Sequence, residues 1–351
     1  MKNSLLLVLY AGFLTGCLER KIHFTDDFVI ANGQMPDIVK DNNNKIHLVY
    51  GTGDSIMYSN LSENATSFSQ PLLIGVLPHA YSFATRGPQI AATKKGIIIT
   101  ACNSIGDIYS FYKTGNGKWL QGHKVNDVDT INKEGLMDLS ADDTNVFAVW
   151  LDLRGNGQNK LYGAKSNDGG KTWEKNTLVY ASPNTSVCEC CKPTVAVRGN
   201  NVYVMFRNWL NGNRDLYIAQ SIDSGNTFGQ AKKLGNGNWK LNGCPMDGGG
   251  MAINGDGELQ TVWRRGVKVY AARPGMPEKE IGEGRGCSVE TVNNKNIYTW
   301  TENGQVVIIN TKGEKKILGE GMQPVLKALN NDYVICVWED EKQIHASILA
   351  L

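Results

Sequence analysis

One pattern returns seven times along these 351 residues. An apolar stretch is followed by a polar turn, a second apolar stretch that often ends in an aromatic, a loop, a third stretch and a short fourth. "PDIVKDNNNKIHLVYGTGDSIMYSN" opens the series at Pro36, and matching units start at Pro88, Met137, Pro193, Gly249, Cys287 and Gln323. The spacing of about 35 to 56 residues suits a four-stranded module that must stack on its neighbours to bury its faces. The 39 glycines, eight Trp and 13 Tyr, with few helix-like runs, agree with many short strands joined by turns. Together these features predict an all-β chain: a β-propeller of seven four-stranded blades around a central channel. The last unit ends without a fourth strand, whereas a lone strand-like stretch, Lys21–Ile30, precedes the first. Pairing the two closes the ring and removes an exposed edge. Six blades, with one of the weaker late units not a blade, is the alternative count.

The chain begins "MKNSLLLVLYAGFLTGCLER". Lys2 precedes an apolar run, Leu5–Leu14, of signal-peptide length and too short to cross a bilayer as a helix. The run leads into "LTGC", Leu14–Cys17, which resembles a bacterial lipobox. That resemblance implies a lipoprotein signal peptide over residues 1–16, cleavage before Cys17 and lipidation of the Cys17 thiol. The expected mature protein is one propeller domain, 17–351, anchored by lipid in the bacterial cell envelope, periplasmic or surface-facing. Its 36 basic and 34 acidic residues leave a net charge of +2, which provides no electrostatic footprint for nucleic acid. "GEGRGC" has no helix pattern after it and reads as a turn, not a phosphate cradle.

Two turns carry a family resemblance. "SNDGGKTW" (Ser166–Trp173) and "SIDSGNTF" (Ser221–Phe228) both read S-x-D-x-G-x-T-[W/F]. They resemble the Asp box (BNR repeat) of the sialidases, or neuraminidases, and related propellers, and "TGNGKW" and "SENATSF" resemble decayed copies. Asp168 and Asp223 suit backbone hydrogen bonding in a tight turn, so their expected role is structural. The resemblance implies an exo-acting glycoside hydrolase. In it arginines clamp a sugar carboxylate, an acid protonates the leaving oxygen and a Tyr serves as nucleophile. Arg86 in "RGP" partly resembles the family's first clamp arginine, though it falls in the second unit rather than the first. No Tyr–Glu pair can be matched, and the family's sialidases are six-bladed.

Because strands within a blade alternate in direction, the loops leading into each first strand share a face with the loops joining second to third strands. On that face lie Arg86, Glu134, Asp152, Arg154, Arg207, Asn208, Arg214, Asp247 and Arg264. Asp152 and Asp247 are the candidate catalytic acids, and Glu134 is the candidate to assist a Tyr. Arg86, Arg154, Arg207, Asn208, Arg214 and Arg264 are the candidate substrate contacts, and an acidic glycan or glycoconjugate is the expected ligand. Of eight cysteines, Cys102 and Cys336 sit in apolar second strands and read as inert core thiols. Cys188, Cys190, Cys191, Cys244 and Cys287 lead into three consecutive first strands. The geometry of a propeller places Cys244 beside the 188–191 loop. A disulfide there is the default outside the cytoplasm, zinc or a soft copper ion on Cys188, Cys190, Cys191 and Cys244 is the alternative, and free or redox thiols are the third reading. The non-enzymatic reading is a binding propeller that holds a glycan, a protein or this metal on the same face.

Overall fold

The structure, a computed structural model, describes residues 27–62, 67–143, 145–183 and 186–351. The signal segment, Cys17 and the first part of Lys21–Ile30 lie outside the described residues. Every described strand belongs to one of seven four-stranded antiparallel sheets, so seven blades, not six, is the count. The innermost strands of blades 1 to 7 are Gln34–Lys40, Gln89–Thr93, Met137–Asp142, Thr194–Arg198, Gly249–Ile253, Arg285–Val292 and Met322–Ala328. Each begins within two residues of the repeat boundary expected above. Phe28–Asn32 pairs antiparallel with Gln343–Ala350, the third strand of blade 7, and supplies that blade's outer edge. The first and last strands thereby lock the ring.

Apolar packing divides into seven clusters, one at each blade–blade contact. Second strands contribute the bulk of each. Tyr50, Trp150, Phe206, Trp263, Trp300 and Trp338 occupy one register and are buried, with Ala101 in the same place in blade 2. Each aromatic packs back against the preceding blade, as Trp150 does on Ile98 and Ile108. Close approach there excludes side chains from the neighbouring outer strand. A Cβ on Gly282 would lie 2.3 Å from Trp300 Cζ2.

The S-x-D-x-G-x-T turns lie between third and outer strands, on the rim opposite the lead-in loops. Asp168 Oδ1 accepts from Lys171 N, Thr172 N and Ser166 Oγ, and its Oδ2 accepts from Thr172 Oγ1 at 2.6 Å. Asp223 repeats these bonds with Thr227 and Ser221. Trp173 Nε1 donates to Ser110 of the preceding blade, and Phe228 packs on Phe147. These bonds account for both acids within their turns.

The register also defines the channel wall. The residue just before each large ring position pairs across its hairpin with Asp37, Gln89, Asp138, Thr194, Gly250, Ser288 and Val325 in turn. These seven form one layer around the axis and line a cavity of about 790 Å³. Two residues farther along each strand lies a second layer: Val39, Ala91, Ser140, Ala196, Ala252, Glu290 and Lys327.

Candidate functional site

Two lead-in loops, into blades 4 and 5, build the most elaborate part of the mouth. Val187 bridges to Asn208, and Cys188 N donates to Arg207 O at 3.0 Å, which zips the first loop to its own second strand. Asn213 bridges to Lys240 and Arg214 N donates to Trp239 O at 2.8 Å, which fixes the second loop to the blade 4 hairpin. Cys190 and Cys244 form a disulfide between the two loops, with Cα atoms 6.2 Å apart. The expected proximity of Cys244 to the 188–191 loop and a bond between them are both present.

Cys188 and Cys191 remain free, buried thiols whose Sγ atoms share a 2.9 Å hydrogen bond. Cys188 Sγ also lies 3.8 Å from Cys190 Sγ and accepts from Arg214 Nη1 at 3.1 Å. The Cys191 hydrogen bond, helped by the Arg214 charge, outweighs burial and brings Cys188 down to about 7. Burial pushes Cys191 well up. Cys102 and Cys336 are buried and raised for the same reason, in keeping with inert core thiols; Cys287, expected with the other lead-in cysteines, is also buried and raised and is bonded to none of them.

The predicted arginines and acids do not meet at one point. They fall into three groups that no ion pair among the described residues connects. Arg86 donates to Glu134 O, Ala84 O and Glu134 Oε2, between blades 2 and 3. Arg154 chelates Asp152 through Nε and Nη2 and also reaches Asp127 and Asn176. Asp152 takes Trp150 Nε1 and Arg154 N as well and is fully buried, so it has no open path to a leaving group. The third group joins blades 4 and 5. Arg207, 1% exposed, donates to Asp247 O, Arg214 O and Arg264 O, so its fork is filled by backbone carbonyls. Asp247 is buried against Arg264, with Nε to Oδ2 3.1 Å. Burial raises Asp247, against the pull of Arg207 and Arg264. Arg214 pairs with Glu189 at 3.2 Å, and Asn208 donates to Tyr180 Oη. Most of these arginine donors are directed at protein acceptors that hold the mouth together, while Arg214 Nε has no hydrogen-bond partner. Trp239 was missed, yet both Arg207 and Arg264 stack on it at 5.0 and 5.3 Å. A single large aromatic in the Gly- and Asn-rich stretch "LGNGNWKLNG" was its one sequence signal.

A fourth group was also missed, and it faces the cavity. Asp37 Oδ2 accepts from Ile90 N of blade 2, and Asp138 Oδ2 accepts from Val195 N of blade 4, each tying two blades. Lys192, at the end of the cysteine loop, reaches down to Gln89 Oε1 at 2.7 Å and to Asp138 Oδ1 at 3.1 Å. One layer on, Lys327 and Glu290 pair at 2.9 Å. Asp37 keeps partial contact with channel solvent but is walled in by protein. That desolvation pushes it up to about 6, with Lys192 pulling the other way and Asp138 adding to the rise. A carboxyl of raised affinity beside a second, lysine-paired carboxylate is an arrangement suited to acid–base chemistry or to hydroxyl recognition.

No protein-family model matches the chain, and no curated protein matches it. Solved structures do. The α-L-arabinofuranosidase Arb93A from Fusarium graminearum aligns over 93% of this chain and 98% of its own, at 11% identity and a TM-score of 0.57. Virginiamycin B lyase from Staphylococcus aureus aligns over the same shares at 11% identity and a TM-score of 0.55. A Dyadobacter fermentans protein of unknown function aligns over 93% and 98% at 15% identity and a TM-score of 0.51. At these identities the likeness is one of fold, and folds of this kind carry unrelated chemistries.

Proposed function

We propose that the protein binds a neutral carbohydrate at the mouth of its channel, with Asp37, Asp138 and Lys192 as the contact set. The observation that carries this reading is the grouping itself. Two carboxylates and an ammonium, from blades 1 and 3 and one lead-in loop, face the same cavity, with Gln89 positioning the ammonium. Such a set donates to and accepts from hydroxyls in fixed directions. A neutral ligand fits better than a sialoside, because the fork of Arg207 is filled by carbonyls and Arg86 and Arg154 are paired with acids. The fold neighbour that acts on an arabinofuranoside is consistent with this class without establishing it. Hydrolysis is the finer reading, with Asp37 as the proton donor and Asp138 as its partner carboxylate. A lipid on Cys17 would display this mouth from the cell envelope.

The test is a panel of neutral and acidic glycans, screened for binding and for turnover with the wild type, Lys192→Ala and Asp138→Asn. Neutral glycans should bind, and both substitutions should weaken binding by about tenfold or more, the cost of removing one charged hydrogen-bonding group. Turnover lost in Asp37→Asn with binding retained would support hydrolysis. Binding that ignores both Lys192 and Asp138, or no glycan bound at all, would remove the proposal.

A further inference from the structure

We infer that the cysteine cluster is a redox-gated site for a soft, thiolate-seeking cation, with the Cys190–Cys244 disulfide as its gate. Three observations carry this. The Sγ atoms of Cys188, Cys190 and Cys191 all lie within 4.8 Å of one another, and all three residues are buried. Three sulfurs bound to one ion at about 2.3 Å stand about 4 Å apart, and here two of the separations are 2.9 and 3.8 Å. Only small shifts would bring the three onto one metal. Arg214, 4% exposed, already donates to Cys188 Sγ, and its Nε has no hydrogen-bond partner. A guanidinium facing a group of sulfurs offsets the negative charge that several thiolates accumulate.

The gate follows from the difference between the two bonded cysteines. Cys190 belongs to the buried trio, whereas Cys244 is exposed. A dithiol reductant can attack Cys244 Sγ from solvent. Its thiolate forms a mixed disulfide with Cys244, and the S–S electron pair leaves on Cys190 as thiolate. The second thiol of the reductant then resolves the mixed disulfide. Cys244 leaves as a thiol, and the reductant leaves as its own disulfide. The product holds three sulfurs in one buried nest, with Cys244 beside it as a fourth. Three thiolates suit monovalent copper, and four suit zinc. In the oxidised form Cys190 is spent and two thiols remain, short of zinc's four ligands and only a two-coordinate, weaker seat for monovalent copper.

The experiment uses the full chain, with Cu(I) and Zn(II) as separate probes. Bound metal is counted by elemental analysis after gel filtration. The oxidised protein should retain no zinc and should hold Cu(I) more weakly than the reduced protein. After reduction with a phosphine it should retain one equivalent of at least one of them. Cys244→Ser is the decisive variant. It alters an exposed residue, leaves Cys190 without its disulfide partner, and should load one equivalent when prepared anaerobically with no reductant present. Cys188→Ser should weaken loading by at least about tenfold, the lower limit for disturbing a metal site. If Cys188→Ser does not fold, the Cys244→Ser protein supplies the second readout. One equivalent of the metal should protect Cys188, Cys190 and Cys191 from alkylation, mapped by mass spectrometry. Failure of folded Cys244→Ser to bind either ion overturns the inference. Equal loading of the oxidised and reduced wild type overturns the gate.

Discussion

Arg207 is a cation almost without water, and its neighbours explain how it survives there. Three carbonyls, of Arg214, Asp247 and Arg264, take its fork, and the Trp239 face covers it. Removing such a group leaves three buried acceptors unpaired. Arg207→Ala should therefore lower unfolding stability by about 3–5 kcal/mol, read by chemical denaturation. A change below about 1 kcal/mol would mean that the carbonyls find water instead. Asp37 makes a pH prediction. Its carboxyl is raised by burial from 3.8 to about 6. Between those values the folded state holds a proton that the unfolded chain has released. Stability from this group thus falls as pH rises from about 4 to about 6, and is level above that. Asp37→Asn should flatten that part of the stability–pH curve. An unchanged slope would show that another group sets it.

At the level of the element, a blade is defined by what its second strand pushes into its neighbour. Trp300 fills the contact between blades 5 and 6, and Gly282 on the outer strand of blade 5 leaves it room. Gly282→Ala should cost about 1–3 kcal/mol through overpacking, and Trp300→Ala about 3–5 kcal/mol through the cavity it leaves. The Gly282 effect should vanish in the Trp300→Ala background, because the clash partner is gone. Additive losses in the double mutant, measured by denaturation, would place the strain elsewhere.

For the whole molecule, the closing strand is the decisive part. Phe28–Asn32 covers the edge of Gln343–Ala350, while Tyr50 with Ile335 and Val337 seals blade 1 against blade 7. Deleting the chain through Asn32 should expose that edge. The expected result is self-association seen by light scattering, with a lowered unfolding midpoint, since an unpaired edge recruits other strands. A truncated chain that stays monomeric and equally stable would show that apolar blade contacts alone hold the ring.

The repeat, the strand count, the closing strand and the face carrying the cysteines were legible before any coordinates. Strand patterning and turn chemistry are local properties, written every few residues in stretches such as Ile46–Tyr50 and Ser166–Trp173. The pairing of Cys244 with the 188–191 loop followed from the same regularity, because equivalent positions on adjacent blades are neighbours. The state of each polar group was not legible. Arg154, Arg207 and Arg264 look like free surface cations in sequence, yet each turns onto an acid or a carbonyl of its own or the next blade. Lys192 and Gln89 stand 103 positions apart and touch only because blades 2 and 4 share one channel. Whether a side chain is spent on its neighbours or left for a ligand depends on contacts between distant blades, and those exist only once the ring has closed.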